Sequence, residues 1–195
     1  MDATRQTFLD ELYAHGRAHD EQRTDRVQRL RNVEPETAEL LGVLVRAMQA
    51  RRVLEIGTSN GYSTIWLGDA AEAVGGHVIS IEIEADRTAQ AVDNVTQAGV
   101  ADYVELRTQD AGEALREFGD EAFDLIFLDA ERKLYAGYWP DLVRVLRPNG
   151  LLVVDNTLSH AKELVEFSEL VYASEEVTST LVTVGAGVML IVKSP

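Results

Sequence analysis

At 195 residues the chain can build one sizeable core but not two full domains, and with 46% apolar and 26% charged residues it has neither a disordered nor a fibrous composition. The net charge of −15 argues against broad attraction to nucleic acid or an anionic membrane, although a local cationic patch is compatible with it. The absence of cysteine excludes disulfides, thiolate metal sites and cysteine nucleophiles, so any metal must sit on oxygen or imidazole.

No apolar run reaches the roughly 18 residues that a membrane span needs. The start, Met1-Asp2-Ala3-Thr4-Arg5, has no basic segment leading into an apolar one, so no secretory leader is read there and a cytoplasmic location is expected. Between residues 4 and 31, Phe8, Leu9, Leu12 and Tyr13, followed by Val27 and Leu30, predict one or two amphipathic helices. They are read as an N-terminal cap over 1–32 on a core running from 33 to 195. Pro35 predicts a helix start, with Leu40, Leu41, Leu44, Val45 and Met48 repeating along one face.

Apolar runs of strand length then alternate with helical stretches: 53–56, 78–81, 104–106, 125–128 and 151–154. That alternation reads as βαβ units and a parallel sheet, an α/β fold. The last two runs, 180–184 and 188–192, are joined only by Gly185-Ala186-Gly187, too short for a parallel crossover, which predicts a terminal antiparallel hairpin. There is no internal repeat and no linker-like segment.

Val53-Leu54-Glu55-Ile56-Gly57-Thr58-Ser59-Asn60-Gly61-Tyr62-Ser63 reads as strand, glycine-containing turn and helix start, a place where a ligand can approach backbone N–H groups. It lacks the third glycine of a dinucleotide fingerprint, and alone it could be no more than a tight turn. Glu82 closes the second strand, where a carboxylate can accept from both hydroxyls of a ribose, and Asp110 follows the third strand, where it could meet an adenine amino group.

Asp129 follows the fourth strand, and Asp155 with Asn156 follows the fifth. If those strands are neighbours, about 4.8 Å apart, two carboxylates and an amide converge at the ligand-binding edge of the sheet. Such a set suits a hard cation such as Mg²⁺, which would ease ionisation of a chelated hydroxyl. Any one of these residues could simply cap a helix or start a turn; three at one edge favour a site.

With these motifs in view, the sequence resembles the metal-dependent S-adenosylmethionine (SAM) O-methyltransferases of the catechol and caffeoyl-CoA type, in their small bacterial form. The likeness runs from about Glu34 to the end and rests on the 53–63 motif, Ile81-Glu82-Ile83, Phe127-Leu128-Asp129-Ala130 and the stretch 146–156 ending in Asp155-Asn156. It implies a Rossmann-like class I fold, with a mostly parallel seven-stranded sheet, a terminal antiparallel hairpin and helices on both faces. It further implies that Glu55, Gly57, Gly61 and Ser63 line the methionine part of SAM, with Thr58, Ser59, Tyr62, Ile83 and Asp129 also among the cofactor-binding residues. Glu82 would meet the ribose, Asp110 and Ala111 the adenine, and Asp129, Asp155 and Asn156 the metal. Homodimerisation is expected from the same resemblance.

The family's lysine three residues after the first metal aspartate is Arg132 here, with Lys133 one step out of register. An arginine stays protonated and can only orient or neutralise. Either the metal alone activates the hydroxyl, Lys133 substitutes, or the chemistry has changed; Asp129, Arg132 and Lys133 are therefore the candidate catalytic residues.

The expected reaction is O-methylation of a small catechol-like or hydroxy-aromatic acceptor. The alternatives are methylation of a hydroxylated tRNA base and a non-catalytic SAM-binding role. Arg23, Arg26 and Arg29, with Arg17 and Arg31 nearby, could share a helix face that meets RNA, but interleaved acids make a solvated face the preferred reading. His160 is read as a helix-start histidine, Tyr138 and Trp139 as anchors of the helix after the fourth strand, and Trp66 as core.

Overall fold

The computed structural model describes residues 1–25 and 28–195. Arg26 and Val27, which figured in the N-terminal periodicity, lie outside the described residues. The chain opens with α1 (Ala3–Glu21) and α2 (Pro35–Met48). Then come β1 (Arg52–Ile56), α3 (Tyr62–Val74), β2 (His77–Glu82), α4 (Ala85–Gln97), β3 (Val104–Thr108), α5 (Ala111–Glu117), β4 (Phe123–Leu128) and α6 (Tyr135–Val145). It closes with β5 (Leu146–Val154), α7 (Val165–Ala173), β6 (Val177–Val182) and β7 (Val188–Lys193).

The seven strands run in the order β3-β2-β1-β4-β5-β7-β6, with β7 antiparallel to both β5 and β6 and the other pairings parallel. Strand alternation divides the core in two. Val53, Leu125, Phe127, Leu151 and Val153 pack with α1, α2 and α3 on one face. Leu54, Ile56, Ile126, Leu128, Leu152 and Val154 pack with α5, α6 and α7 on the other. Trp66 belongs to the first of these cores, and Trp139 to the second, edge-on to Phe167.

Pro35 is indeed in the first turn of α2, and left-handed Gln49 (φ 54°) ends that helix. The N-terminal helix is tied down by charge as well as by Leu9 and Leu12: the Arg5 guanidinium bonds Asp69 and Glu72 of α3, and its Nε donates to the Ala98 carbonyl at 2.9 Å. Arg46 of α2 donates to the other Asp69 oxygen at 2.5 Å.

Two expectations need correcting. Arg23 and Arg29 do not share a helix face, because α1 ends at Glu21. Asp20 accepts the N–H groups of Leu30 and Arg31, and Arg29 Nε donates to the Arg23 carbonyl at 2.9 Å. The final hairpin has a longer loop than its glycines suggested: the last paired residues are Val182 and Val188. The loop between them is held by the Ala186 carbonyl, which accepts from Leu158 and Ser159.

Strand order reverses between β1 and β4, since the chain builds outward through β2 and β3 and then returns to the other side of β1. The crevice at the carboxyl ends of β1 and β4 is the place where this kind of sheet binds ligands.

Candidate active site

At the end of β1 the backbone turns at Gly57, whose φ of 104° lies where side chains are rarely tolerated. A Cβ there would stand 2.0 Å from the carbonyl oxygen of Asp129, so the glycine lets the β1 and β4 turns meet. Gly57 N–H donates to the Ile81 carbonyl at 2.9 Å and Asp129 N–H to the Ile56 carbonyl at 3.0 Å, continuing the ladder past the strand ends. Gly61, also left-handed, precedes α3.

These turns border a cavity of about 380 Å³. Of the residues singled out in the sequence, it brings together Gly57, Thr58, Ser59, Tyr62, Ser63, Glu82, Ile83, Asp110, Ala111, Asp129, Arg132, Asp155 and Asn156. Glu55 and Gly61 do not reach it: the Glu55 side chain is fully buried behind the wall, and Gly61 packs against Ala91. Lys133 is exposed and also off the cavity.

Glu55 accepts hydrogen bonds from Ser63 Oγ at 2.6 Å, Thr64 Oγ1 at 2.5 Å and Ser80 Oγ at 2.5 Å. Burial pushes its carboxyl up to about 7 even though those three hydroxyls favour the charged form. Its position is thus structural support for the turn. Thr58 Oγ1 is likewise spent on Ser80, at 2.6 Å. Glu82 accepts main-chain N–H groups from Ser59, Ile83 and Glu84 at 2.8, 2.9 and 3.1 Å. Its carboxylate oxygens have lone pairs to spare for further donors. Asp110 caps α5 by accepting the Glu113 N–H at 3.0 Å.

Asp129, Asp155 and Asn156 converge as neighbours, because β4 and β5 are paired. Asn156, left-handed at φ 63°, donates from Nδ2 to Asp129 Oδ1 at 3.0 Å and to Asp155 Oδ2 at 3.1 Å. Asp155 is 2% exposed and its Oδ1 is buried with no hydrogen-bond partner among the described residues. Burial raises both carboxyls above the usual aspartate range, and the charge of Asp129 raises Asp155 further. The half-buried Asp129 and the buried Asp155, with its orphaned oxygen, are a pair of carboxylates that could hold a divalent cation. Among the described residues no group of three His, Asp or Glu side chains gathers here, so a cation at this place would need a further ligand such as the amide oxygen of Asn156.

Arg132 is 4% exposed and its Nε donates to Glu163 Oε2 at 2.8 Å. The sequence reading missed the strap formed by Leu30 to Glu34, which also lines the cavity, and Gln109 at the adenine end. Its one available signal was position: a segment just before the Pro35 helix start must pass the sheet edge. Tyr138 and His160, read as structural, both reach the cavity wall.

A profile of the O-methyltransferase family matches residues 9–194 of the chain. The chain belongs to the O-methyltransferase family. Its relatives include a catechol O-methyltransferase from Niastella koreensis, 36% identical over 140 residues, which make up 70% of this chain and 63% of that protein. Another, from Mycobacterium tuberculosis, is 38% identical over 126 residues, 65% of this chain and 57% of that protein. The chain therefore spans less than two thirds of the length of these two O-methyltransferases. The O-methyltransferase of Bacillus cereus, solved in complex with SAH, superimposes with a TM-score of 0.79 at 28% identity, covering 100% of this chain and 92% of that one. Among the described residues of this family member, no helix is long and apolar enough to cross a membrane.

Proposed function

We propose that this chain is a SAM-dependent O-methyltransferase that acts, with a divalent cation such as Mg²⁺, on a hydroxyl of a small catechol-like or hydroxy-aromatic acceptor. The observation that carries the reading is that the β1 glycine turn, the Glu82 tip and the Asp129, Asp155 and Asn156 set all border one cavity, with Asp155 Oδ1 left unpartnered. Family membership and the names of the relatives support it.

In this reading the Gly57 to Ser59 turn, Tyr62 and Ser63 hold the methionine part of the cofactor, while Glu82 and Ile83 meet the ribose and Asp110 and Ala111 the adenine. Glu55 and Gly61 act one layer behind, Glu55 by holding Ser63 and Gly61 by admitting the turn against Ala91. SAM supplies a methyl already activated by its sulfonium. A cation on Asp129, Asp155 and Asn156 supplies positive charge that favours ionisation of an acceptor hydroxyl.

The protein's part is then to align and to enclose. Asp129 and Asp155 fix the acceptor end of the cavity, and the 30–34 strap closes over the methionine end through Ser59 Oγ, which donates to the Leu30 carbonyl at 2.6 Å. Arg132 cannot take the proton, because a guanidinium stays charged; held by Glu163, it neutralises developing oxyanion charge. Lys133, off the cavity, takes no part. Metal-assisted ionisation without a lysine base is the option we adopt.

The test is transfer of a labelled methyl from SAM to a panel of catechols, with Mg²⁺ or with chelator, by the wild type and Asp129→Ala. Methylation that vanishes with chelator and in the variant is expected. Methylation that survives both would overturn the metal-assisted reading, and cofactor binding without turnover of any hydroxylated acceptor would overturn the O-methyltransferase reading.

A further inference from the structure

The sheet ends in β3 on one side and in β6 on the other, and the two edges are built differently. β3 carries Glu105 and Arg107, ion-paired at 2.7 Å. Charges of this kind guard an edge against the addition of another strand. β6 reads Val177-Thr178-Ser179-Thr180-Leu181-Val182, with no charge and no proline, and its register against β7 is unbroken from Val177 to Val182. A neutral strand of β-favouring residues thus lies open at the rim of a chain whose net charge is −15.

The ladder decides which main-chain groups that rim presents. Ser194 N–H donates to the Glu176 carbonyl at 2.8 Å, one rung before Val177 pairs with Lys193. Antiparallel pairs alternate between bonded and non-bonded. Thr178, Thr180 and Val182 therefore turn their N–H and C=O groups towards β7, and Val177, Ser179 and Leu181 turn theirs to the open side.

Two such edges are self-complementary. Set antiparallel about a twofold axis at Ser179, the open groups of Ser179 meet those of the partner's Ser179, and the open groups of Val177 meet those of the partner's Leu181. The side chains agree with this register: Val177 lies opposite the partner's Leu181 on one face, and Thr178 opposite the partner's Thr180 on the other, both favourable cross-strand pairs. Glu176 falls opposite the partner's Val182, so the acid next to the edge meets no acid across it. Apolar surface flanks the strand, since Leu181 is 41% exposed and Tyr172 of α7, the helix packed on β6, is 66% exposed.

We propose that β6 is a dimerisation edge, to which a second copy of this chain adds its own β6 to make one continuous sheet. This goes beyond the reading of the cavity and does not depend on it. β5 and β7 stand between β6 and the crevice at β1 and β4, so the crevice stays open.

Sedimentation equilibrium of the full chain tests it, on the wild type, Ser179→Pro and Leu181→Lys. The wild type is expected to be a dimer. Ser179→Pro removes an N–H that points away from β7, a place where an edge strand tolerates proline, and Leu181→Lys puts a charge on the rim. Each should weaken the dimer at least roughly 10-fold, with the circular dichroism spectrum and SAH affinity unchanged. Hydrogen exchange gives a second readout: the Val177, Ser179 and Leu181 amides should be slow in the wild type and fast in Leu181→Lys, while those of Thr178, Thr180 and Val182 stay slow in both.

A wild type that is monomeric at every concentration, a dimer that Leu181→Lys keeps at full strength, or fast exchange at the three outward amides of the dimer would overturn the proposal. A monomer with those amides already slow would assign the edge to another part of the chain and overturn it equally. If Ser179→Pro fails to fold, Leu181→Lys and the exchange pattern decide.

Discussion

Arg132 Nε donates to Glu163 Oε2 at 2.8 Å, joining the turn after β4 to the turn before α7 beside the cavity that Arg132 lines. A guanidinium held in this way has no acceptor for a substrate proton. Arg132→Lys should therefore keep the positive charge while adding a group that titrates, and its kcat should gain a dependence on pH that the wild type lacks. Glu163→Gln leaves a nearly buried guanidinium with a weaker partner, for a loss of about 1–2 kcal/mol in denaturant unfolding. Identical pH profiles for wild type and Arg132→Lys would show that this position is remote from the proton that leaves.

Two of the positive-φ glycines, Gly57 and Gly75, offer a matched pair. Both have positive φ, but a Cβ on Gly57 would meet the Asp129 carbonyl at 2.0 Å, whereas one on Gly75 would meet nothing within 4 Å. Gly75→Ala is expected to cost about 1 kcal/mol, the backbone term alone. Gly57→Ala adds a backbone clash and should cost roughly 3–4 kcal/mol, with loss of cofactor binding. Equal melting temperatures for the two variants would contradict the close approach of the β1 and β4 turns.

Asp69 sits between Arg5 and Arg46 and is 3% exposed. Burial works against its charge, but hydrogen bonds from Arg46 and Arg5 outweigh burial and hold the carboxyl below 3.8. Because the folded value is depressed, its contribution is complete above the unfolded aspartate value near 3.9 and is lost as pH falls through the folded one. Asp69→Asn should thus cost about 2–4 kcal/mol at pH 7, a difference that shrinks in acid, and should expose α1 to proteolysis. Denaturant melts of both proteins from neutral pH downward check this; a difference that grows in acid would reverse the assignment.

Asp155 carries an unpartnered buried oxygen, and its charge is opposed by burial and then by Asp129. Without metal, Asp155→Asn should raise the melting temperature by removing the cost of a buried carboxyl beside another acid. Mg²⁺ at a hundredfold excess over its Kd should stabilise the wild type by about 2.7 kcal/mol, roughly 5–10 °C for a chain of this size, and should leave Asp155→Asn unmoved. A variant that responds to Mg²⁺ as the wild type does would place the cation elsewhere.

Much of this architecture was legible because it is periodic. The alternation of β runs with helical stretches, Pro35 at a helix start and a glycine-linked final pair of strands each express a local rule, and the parallel sheet with its terminal hairpin follows from them. Asp129, Asp155 and Asn156 could be placed at one edge because each directly follows a strand, and strand ends lie where the sheet puts them. Strand limits were less legible: β5 begins at Leu146 rather than at the apolar run, since pairing with Phe123 extends it through residues that carry no strand signal.

What local sequence could not decide was which way a side chain at a turn faces and which distant segment comes to meet it. Glu55 and Gly61 stand inside the most recognisable motif, yet alternation along β1 turns Glu55 into the protein, where Ser63, Thr64 and Ser80 enclose it, and Gly61 faces α4. Arg31, read in the sequence only as one of several clustered arginines, reaches the cavity because Asp20 and Ser59 fasten its segment across the glycine turn. The elements, their order and the chemistry available at the strand ends could be read locally, since each is set by neighbours within a few residues. The pairing of Arg132 with Glu163 and the orphaned oxygen of Asp155 emerge only in the folded chain, because hydrogen bonding and burial depend on groups brought together from far along it.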